Sequence, residues 1–406
     1  MALDLPEFLA KLRYGELDDG ALMHGNLLMS WAGHETDFTS HKGIEIPSPT
    51  NGPGGFGPTN ATAFAADTPS TGQSFTVPQR SVYLYSALTG ITVRNAMEGG
   101  DVSHFRSAFT REMDLADEAF GQEVNQRMYG VNRGDRSLIK AGTSVSGTTI
   151  TLAKKTDAQF YEVGMRLHAL SPAGALRTGG TGFAVVSAVS PQDGTLTWTE
   201  AGTTAIGTLA AGDILIRKDM RNLDLDGLAG WAPVTPATFL GVDQTIYPGR
   251  ACGLYLDLSS ANTAAGLLYA IRYAGSYVGK RFDAKSPWFI NPMNLHAIER
   301  EVEQSRIVSQ TMQGTYGIGI EVVEIMGKRF VPDPLCPRDT AFLVGKGAFV
   351  RGTCGQQPRI EALDGKRFHY NRQTGTLEFT LVHDGNCYSY SPYNLMQVSL
   401  QAAPEL

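Results

Sequence analysis

Residues 43–130 decide the fold; they begin with GIEIPSPTNGPGGFGPTNATAFAADTPSTGQ (43–73) and end with DVSHFRSAFTREMDLADEAFGQEVNQRMYG (101–130). The first part is a long arm rich in glycine, proline and threonine. Two stretches of alternating apolar residues follow it, at 75–85 and 88–93. Structureless segments of this length are uncommon inside compact domains and are usually functional or disordered. We therefore expect the arm to pack on a neighbouring copy of the chain.

The second part predicts one long amphipathic helix over 102–129. Charged residues such as Arg111 and Glu118 lie off its apolar stripe, Asp101 is a candidate N-cap, and Gly130 a candidate C-terminal stop. At 1.5 Å per residue the helix would be roughly 40 Å long. An ordinary core helix would show the same pattern, so the helix alone indicates no function. The stripe consists of Val102, Phe105, Phe109, Met113, Ala116, Phe120, Val124 and Met128.

Glycine and proline exclude a helix or a central strand from the middle of the arm. This composition also fits a disordered linker. Against a linker, Phe56, Phe64 and Phe75 are apolar anchors that a solvated segment does not need. We therefore predict that these three rings make intersubunit contacts. The residues that break regular structure are Pro47, Pro49, Gly52, Pro53, Gly54, Gly55, Gly57 and Pro58.

The composition of the whole chain is that of a globular protein with several domains. The 406 residues are 42% hydrophobic and 18% charged, and the 46 glycines favour a β-rich architecture with large interfaces. The net charge of −6 provides no global basic field for tight binding of nucleic acid, although the chain can still lie near DNA. The sequence shows no secretory signal and no apolar run long enough to cross a membrane.

Basic residues become frequent late in the chain, which fits contact with packaged nucleic acid, contact with an acidic neighbour, or a solvated or salt-bridged surface. The basic residues of this stretch are Lys346, Arg351, Arg359, Lys366, Arg367 and Arg372.

The sequence contains no motif that indicates an enzyme, a metal site or a cofactor. The stretch GSYVGKR at 275–281 resembles a phosphate-binding loop only faintly, because its first glycine is one residue too close and Arg281 replaces the metal-binding hydroxyl. Asp224 and Asp226 have no third ligand nearby in the sequence, so solvation of a turn explains them better. No two of the four cysteines have CxxC spacing, which favours free buried thiols in a reducing cytoplasm.

Between residues 136 and 218 the sequence pattern changes to short strand-like runs separated by glycine-rich turns. Five strand-like runs are visible, at 149–152, 165–170, 183–189, 195–198 and 213–217. This spacing predicts a small antiparallel barrel or sandwich. From 223 onward the pattern is mixed α/β, with Asn291 as the N-cap of a helix whose first residue is Pro292.

The order of these parts resembles the major capsid protein of tailed bacteriophages, which has the Hong Kong 97-like fold. The segment GQSFTVP at 72–78 resembles the returning strand of that family's extended loop, and 109–130 resembles the end of its spine helix. The stretches 219–230, 288–292, 330–334 and 341–345 resemble its re-entry into the shell domain and the strands of its axial domain. The β-rich segment 136–218 is a departure, because the minimal fold lacks it.

The resemblance implies an α+β fold: the phage major capsid protein fold with an inserted small β-barrel or sandwich. Its parts would be an N-terminal arm (1–35), an extended loop with its strands (36–90), and a peripheral domain with the long spine helix (91–135). The inserted β-rich domain (136–218), an axial domain (219–370) and a C-terminal return to the peripheral domain (371–406) would follow.

The resemblance further implies self-assembly into hexamers and pentamers that form an icosahedral shell around double-stranded DNA. The expected partners are copies of the chain itself, separate scaffolding and portal proteins, a decoration protein, and packaged DNA by non-specific proximity. The expected location is the virion capsid, after assembly in the host cytoplasm. The alternative is a virion spike or adhesin in which 136–218 would be a carbohydrate-binding module and the rest its mount.

Overall fold

The structure is a computed structural model, and it forms two compact units: a main unit of Met1–Tyr129 with Asp226–Leu406, and an inserted unit of Gly130–Leu225. The described residues are 26–38, 43–49, 58–65, 72–88, 102–131, 134–140, 148–177, 182–199, 206, 209–246, 248–259, 271, 273, 286–304, 312–316, 320–325, 328–355, 357–362, 367–371, 373 and 376–400. The predictions for Phe56, for Asp101 and for the stretch 275–281 therefore lie outside the described residues.

The described strands, in chain order, are β1 (Gly33–Glu35), β2 (Ile44–Pro49), β3 (Gly72–Val77), β4 (Arg80–Leu88), β5 (Asp135–Leu138), β6 (Thr149–Thr151), β7 (Arg166–Leu170), β8 (Ala184–Ser190), β9 (Thr195–Trp198), β10 (Ile214–Arg217), β11 (Thr238–Phe239), β12 (Val242–Asp243), β13 (Leu254–Asp257), β14 (Trp288–Ile290), β15 (Met312–Tyr316), β16 (Ile320–Ile325), β17 (Lys328–Pro332), β18 (Thr340–Val344), β19 (Val350–Thr353), β20 (Arg359–Ile360), β21 (His369–Asn371), β22 (Thr376–Tyr388) and β23 (Leu395–Ser399). The α-helices are Leu27–Trp31, Asn60–Ala65, Val102–Tyr129, Leu228–Trp231, Pro248–Ala251 and Pro292–Gln304, and two 3₁₀ turns lie at Lys155–Phe160 and Pro392–Asn394.

A six-stranded sheet in the main unit is organised around β22, which is 13 residues long. Strands β19 and β20 pair with β22, β21 and β4 also pair with it, and β1 extends the sheet by a parallel pairing with β19. Buried and half-buried residues alternate in the first half of β22, with Leu377, Phe379 and Leu381 buried. This period of two is typical of a sheet with one covered face.

The long helix of residues Val102–Tyr129 confirms the predicted helix and packs against β4. Arg111 and Glu118 are exposed, as predicted, and the side chains of Phe105 and Phe109 lie outside the described residues. Near its end, Asn125 Nδ2 and the Tyr129 hydroxyl both donate to Asp333 Oδ2, at 3.1 and 2.7 Å. The buried stripe residues are Met113, Ala116, Phe120, Val124 and Met128.

A seven-stranded sheet in the main unit has the order β13-β23-β18-β14-β17-β16-β15. The step from β14 to the helix Pro292–Gln304 follows the predicted cap, since Asn291 Oδ1 accepts the main-chain N–H of Met293 at 3.1 Å. Leu295 and Ile298 of that helix join a buried cluster with Trp288, Phe330 and Met396.

The strand pairings distribute the last part of the chain over both large sheets of the main unit. From the predicted segment 371–406, β22 lies in the six-stranded sheet whereas β23 lies between β13 and β18 in the seven-stranded sheet. Strands β19 and β20 fall inside the predicted segment 219–370 and β21 spans its end, and all three pair within the six-stranded sheet. Strand partners distant in sequence leave no local signal of this distribution.

The inserted unit is a closed barrel with the strand order β5-β10-β7-β8-β9-β6. The ring closes because β5 and β6 continue into a bridge between Ile139 and Leu152. Two main-chain bonds flank this bridge: Lys140 N–H to Thr151 O at 2.9 Å and Ala153 N–H to Leu138 O at 2.7 Å. Closure leaves the barrel without a free sheet edge.

The barrel has its own apolar core. Ile150, Leu152, Leu167 and Trp198 are buried together in it, as their strand positions predict. Val185 is only half-buried, and its neighbour Val186 occupies the core position instead, because a bulge in β8 shifts the pairing with β9. Arg177 holds the fully buried Asp213 through two bonds of 3.0 and 2.8 Å.

Candidate functional site

The described ends of the arm form an antiparallel ribbon. β2 and β3 pair in register from Ile44 with Val77 to Pro49 with Gly72. β3 is the returning strand that the resemblance implies, whereas β2 corrects the expectation that residues 44–49 lack regular structure. Pro47 and Pro49 are compatible with β2 because each strand of a two-stranded ribbon has an outer edge. Residues two apart in a strand direct their main-chain nitrogens to the same edge. The nitrogens of both prolines can therefore face the outer edge of the ribbon, where no ladder hydrogen bond is required.

The described part of the ribbon's tip is a short helix, Asn60–Ala65, in which no residue is buried. Thr59 and Thr62 hold its first turn reciprocally: Thr59 Oγ1 accepts the N–H of Thr62 at 3.3 Å, and Thr62 Oγ1 accepts the N–H of Thr59 at 3.1 Å. Phe64 is 83% exposed. The tip is thus a locally capped element that presents an aromatic ring without packing on its own chain.

The root of the ribbon is packed inside the main unit. The Phe75 ring is fully buried and meets the Trp231 indole edge-on, with ring centroids 5.0 Å apart. Phe239 meets Trp231 at 5.2 Å and an interplanar angle of 85°. A side chain at Gly230 would come within 2.9 Å of the Phe239 ring, so that ring would have to shift to admit one.

Main-chain contacts also hold the root. The N–H of Thr76 donates to Leu240 O at 2.9 Å, in the turn between β11 and β12. Gly43 begins the ribbon with a φ of +86°, and a side chain there would lie 2.2 Å from Val77 O. The close approach of the two strands at the root therefore depends on glycine at this position.

A buried amide and carboxylate pair meets the ribbon where it continues into β4. Asn386 of β22 donates through Nδ2 to Pro78 O at 2.8 Å and to Asp226 Oδ2 at 2.7 Å. Its Oδ1 accepts the main-chain N–H of Asp226 at 2.9 Å. The Trp231 indole donates to Asp226 O at 3.1 Å, which connects this pair with the aromatic stack.

The structure separates the three predicted contact residues. Phe56 lies outside the described residues, and Phe64 is exposed on the tip. Phe75 is inside its own chain, which corrects the prediction of an intersubunit contact for that ring. The alternation in GQSFTV, with Phe75 and Val77 on one face, was a signal for this burial that the sequence analysis did not use.

Sequence reasoning missed Asp226, Trp231 and Asn386 as supports of the ribbon. Asp226 was interpreted as part of a solvated turn, whereas it is fully buried. Its partner Asn386 is 160 positions away in the sequence, and no local pattern connects the two residues.

The predicted basic stretch does not form one surface. Arg351 is fully buried and Arg359 pairs with Asp384 at 3.0 Å, while Lys366 and Arg372 lie outside the described residues. The interpretation as a nucleic-acid contact is therefore wrong for Arg351.

Two surveys of the described residues concern metals and membranes. Across these residues, no three His, Cys, Asp or Glu side chains come together in a way that could hold a metal ion. Among the helices the structure describes, none is both long and apolar enough to cross a membrane.

Comparison with solved structures reveals a likeness over nearly the whole chain. A chain of the cyanophage A-1(L) capsid asymmetric unit superposes with a TM-score of 0.52 at 12% sequence identity, covering 94% of this chain and 93% of that one. The capsid of a native GTA particle gives a TM-score of 0.46 at 8% identity, covering 96% and 92%. The SrpI encapsulin of Synechococcus elongatus PCC 7942 gives 0.44 at 9% identity, covering 95% of each chain. No protein-family model and no curated protein sequence matches the chain.

The fold is therefore the one found in the cyanophage capsid, the Hong Kong 97-like fold of tailed-phage capsid proteins, which confirms the predicted fold class. In this chain the fold carries a closed six-stranded barrel as an insertion between residues 129 and 226.

Proposed function

We propose that the chain is a major capsid protein, which assembles through copies of itself into hexamers and pentamers and then into an icosahedral shell around double-stranded DNA. The observation that carries this proposal is the likeness to the cyanophage capsid chain, which extends over 94% of this chain. The spike or adhesin alternative gains no support from this likeness. That alternative assigns the function to residues 136–218 and gives the rest of the chain only a supporting role, whereas the likeness extends over nearly the whole chain.

The extended ribbon supplies the contact between copies. Its root is packed inside its own chain through Phe75, whereas the described part of its tip buries nothing and exposes Phe64. An exposed large ring on a capped helix loses little conformational entropy when it docks, because the helix is already formed. Each contact need only be weak, since a closed symmetric assembly multiplies it.

The proposed role is structural rather than enzymatic. The proposed partners besides the chain itself are separate scaffolding and portal proteins, a decoration protein, and packaged DNA held by proximity rather than by a basic surface. The proposed location is the capsid of a virion that assembles in the host cytoplasm.

Sedimentation and electron microscopy of the purified chain test the proposal. We expect closed particles, or rings of five and six subunits. A protein that stays monomeric at high concentration contradicts the proposal, and a glycan-binding trimer would favour the spike alternative.

Two single variants then test the role of the tip. Phe64→Ser should lower the yield of particles without changing the unfolding midpoint, because the ring makes no packing contribution within its own chain. Val163→Ser is the matched control, since Val163 is 69% exposed on the inserted barrel. Equal losses of assembly in both variants would mean that general surface hydrophobicity, not the tip, drives association.

A further inference from the structure

We propose that Asn386 and Asp226 form a positioning pair that sets the direction in which the extended ribbon leaves the main unit, and thereby controls assembly. The proposal rests on the proposed function, because it assigns the control of the ribbon's contact with a neighbouring copy. Both side chains are fully buried.

The position of the pair supports this role. Pro78 lies between the end of β3 and the start of β4, so its carbonyl lies at the junction between the ribbon and the six-stranded sheet. Asn386 Nδ2 donates to that carbonyl at 2.8 Å from the middle of the sheet. A bond at this junction restrains the angle between ribbon and sheet more directly than a bond along either strand.

Asp226 holds the amide in the orientation that this contact requires. Its Oδ2 accepts the second hydrogen of Asn386 Nδ2 at 2.7 Å, and its main-chain N–H donates to Asn386 Oδ1 at 2.9 Å. The Cys387 N–H also donates to Asn386 Oδ1 at 2.8 Å, so the amide cannot rotate its oxygen toward Pro78 without breaking these three bonds. A bond to a carboxylate in a buried site is also among the stronger hydrogen bonds.

The aromatic stack at the root cannot replace this restraint. Phe75 anchors one side chain of β3 against Trp231, and packed rings resist separation more than they fix an angle. The Trp231 indole is itself positioned by Asp226 O at 3.1 Å. Asp226 therefore contacts two residues that hold the ribbon. These are Asn386, which donates to Pro78 O, and Trp231, which packs against Phe75.

An exchange of the two side chains isolates the contact with Pro78. In the double variant Asp226→Asn/Asn386→Asp the pair still forms an amide–carboxylate bond, and the main-chain N–H of residue 226 keeps an oxygen acceptor. No donor then faces Pro78 O. The single variant Asn386→Ala removes these three bonds and also the one from the Cys387 N–H to Asn386 Oδ1 at 2.8 Å, and it provides a second test if the exchanged pair fails to fold.

Asn125→Ala is the matched control. Asn125 is also fully buried, donates to the carboxylate of Asp333 at 3.1 Å and accepts the N–H of Met29 at 3.0 Å, and neither bond involves the ribbon. It should therefore lower stability to a similar degree for reasons unrelated to the ribbon.

The readouts are hydrogen exchange in β3 of the unassembled subunit, and the yield and diameter distribution of assembled particles. All proteins are compared at a temperature well below their thermal unfolding midpoints. We expect exchange at the Thr76 amide to rise about tenfold in the double variant, the effect of losing one buried hydrogen bond. Fewer particles with a broader range of diameters should accompany it, and Asn125→Ala should change neither readout.

Unchanged exchange in β3, or an equal effect of Asn125→Ala on the particles, would overturn the inference. Failure of the proposed function is distinguishable. A wild-type chain that forms no particles refutes that function, while the exchange measurement still decides whether the pair positions the ribbon.

Discussion

Removal of the ribbon's tip should abolish assembly and leave the subunit at least as stable as before. The change replaces residues 50–71 by Asn-Gly, so that Pro49 and Gly72, the last paired residues of β2 and β3, are joined by a two-residue turn suited to a hairpin. None of the described tip residues 58–65 is buried, so removal of these residues costs the subunit little packing.

Loop closure gives the expected magnitude. The closed loop shrinks from 22 residues to 2, and 1.5RT ln(22/2) amounts to about 2 kcal/mol less closure entropy. Short turns are stiffer than this relation assumes, so the gain in the free energy of unfolding should lie between 0 and about 2 kcal/mol. Urea unfolding followed by circular dichroism measures it, and sedimentation measures assembly.

Two results would refute this reasoning. A free energy of unfolding lowered by more than about 2 kcal/mol would show that the tip packs on its own chain, since that is the scale of a lost core contact. Normal particles from the shortened chain would show that the tip makes no essential contact between copies. The Phe64→Ser variant separates a specific ring contact from a general effect of loop length.

Three further predictions concern the rest of the chain. Phe120→Ala should lower the free energy of unfolding by about 3–5 kcal/mol because the ring is buried, whereas Glu118→Ala on the exposed face should change it by less than about 0.5 kcal/mol; chemical denaturation of both variants checks the assignment of faces. A fragment of residues 130–225 should melt cooperatively on its own, because the barrel is closed and has its own core; a non-cooperative circular dichroism melt would contradict this. Burial, and then the charge of Asp114, raise the pKa of Asp117 from 3.8 to about 6. The folded chain thus binds more protons than the unfolded chain between these values, and stability should fall as pH rises through that window. Asp117→Asn should reduce this pH-dependent loss in the free energy of unfolding by about 1 kcal/mol, a value discounted for the partial exposure of the carboxyl group. If the variant keeps the pH dependence of the wild type, Asp117 does not cause that loss.

Elements with a local period or a local cap could be predicted from the sequence. The long helix follows from apolar residues at spacings of three and four, and the helix after β14 follows from Asn291 and Pro292. The five strand-like runs between 136 and 218 correspond to β6, β7, β8, β9 and β10, because glycine-rich turns separate them. In each case the signal and the structure involve the same few residues.

Whether a side chain faces its own core or a neighbour could not be predicted in this way. Phe64 and Phe75 look alike in the sequence, yet one is exposed on the tip and the other is buried against Trp231, a residue 156 positions further along the chain. Arg351 looks like a surface cation and is buried in the six-stranded sheet. Closure of the barrel, the assignment of β23 to the seven-stranded sheet and the Asn386–Asp226 pair depend on partners that are distant in sequence. Periodicity and capping act over a few residues and therefore leave a local trace in the sequence. Strand partners and burial are chosen by the free energy of the whole packed chain, so only the tertiary structure decides them.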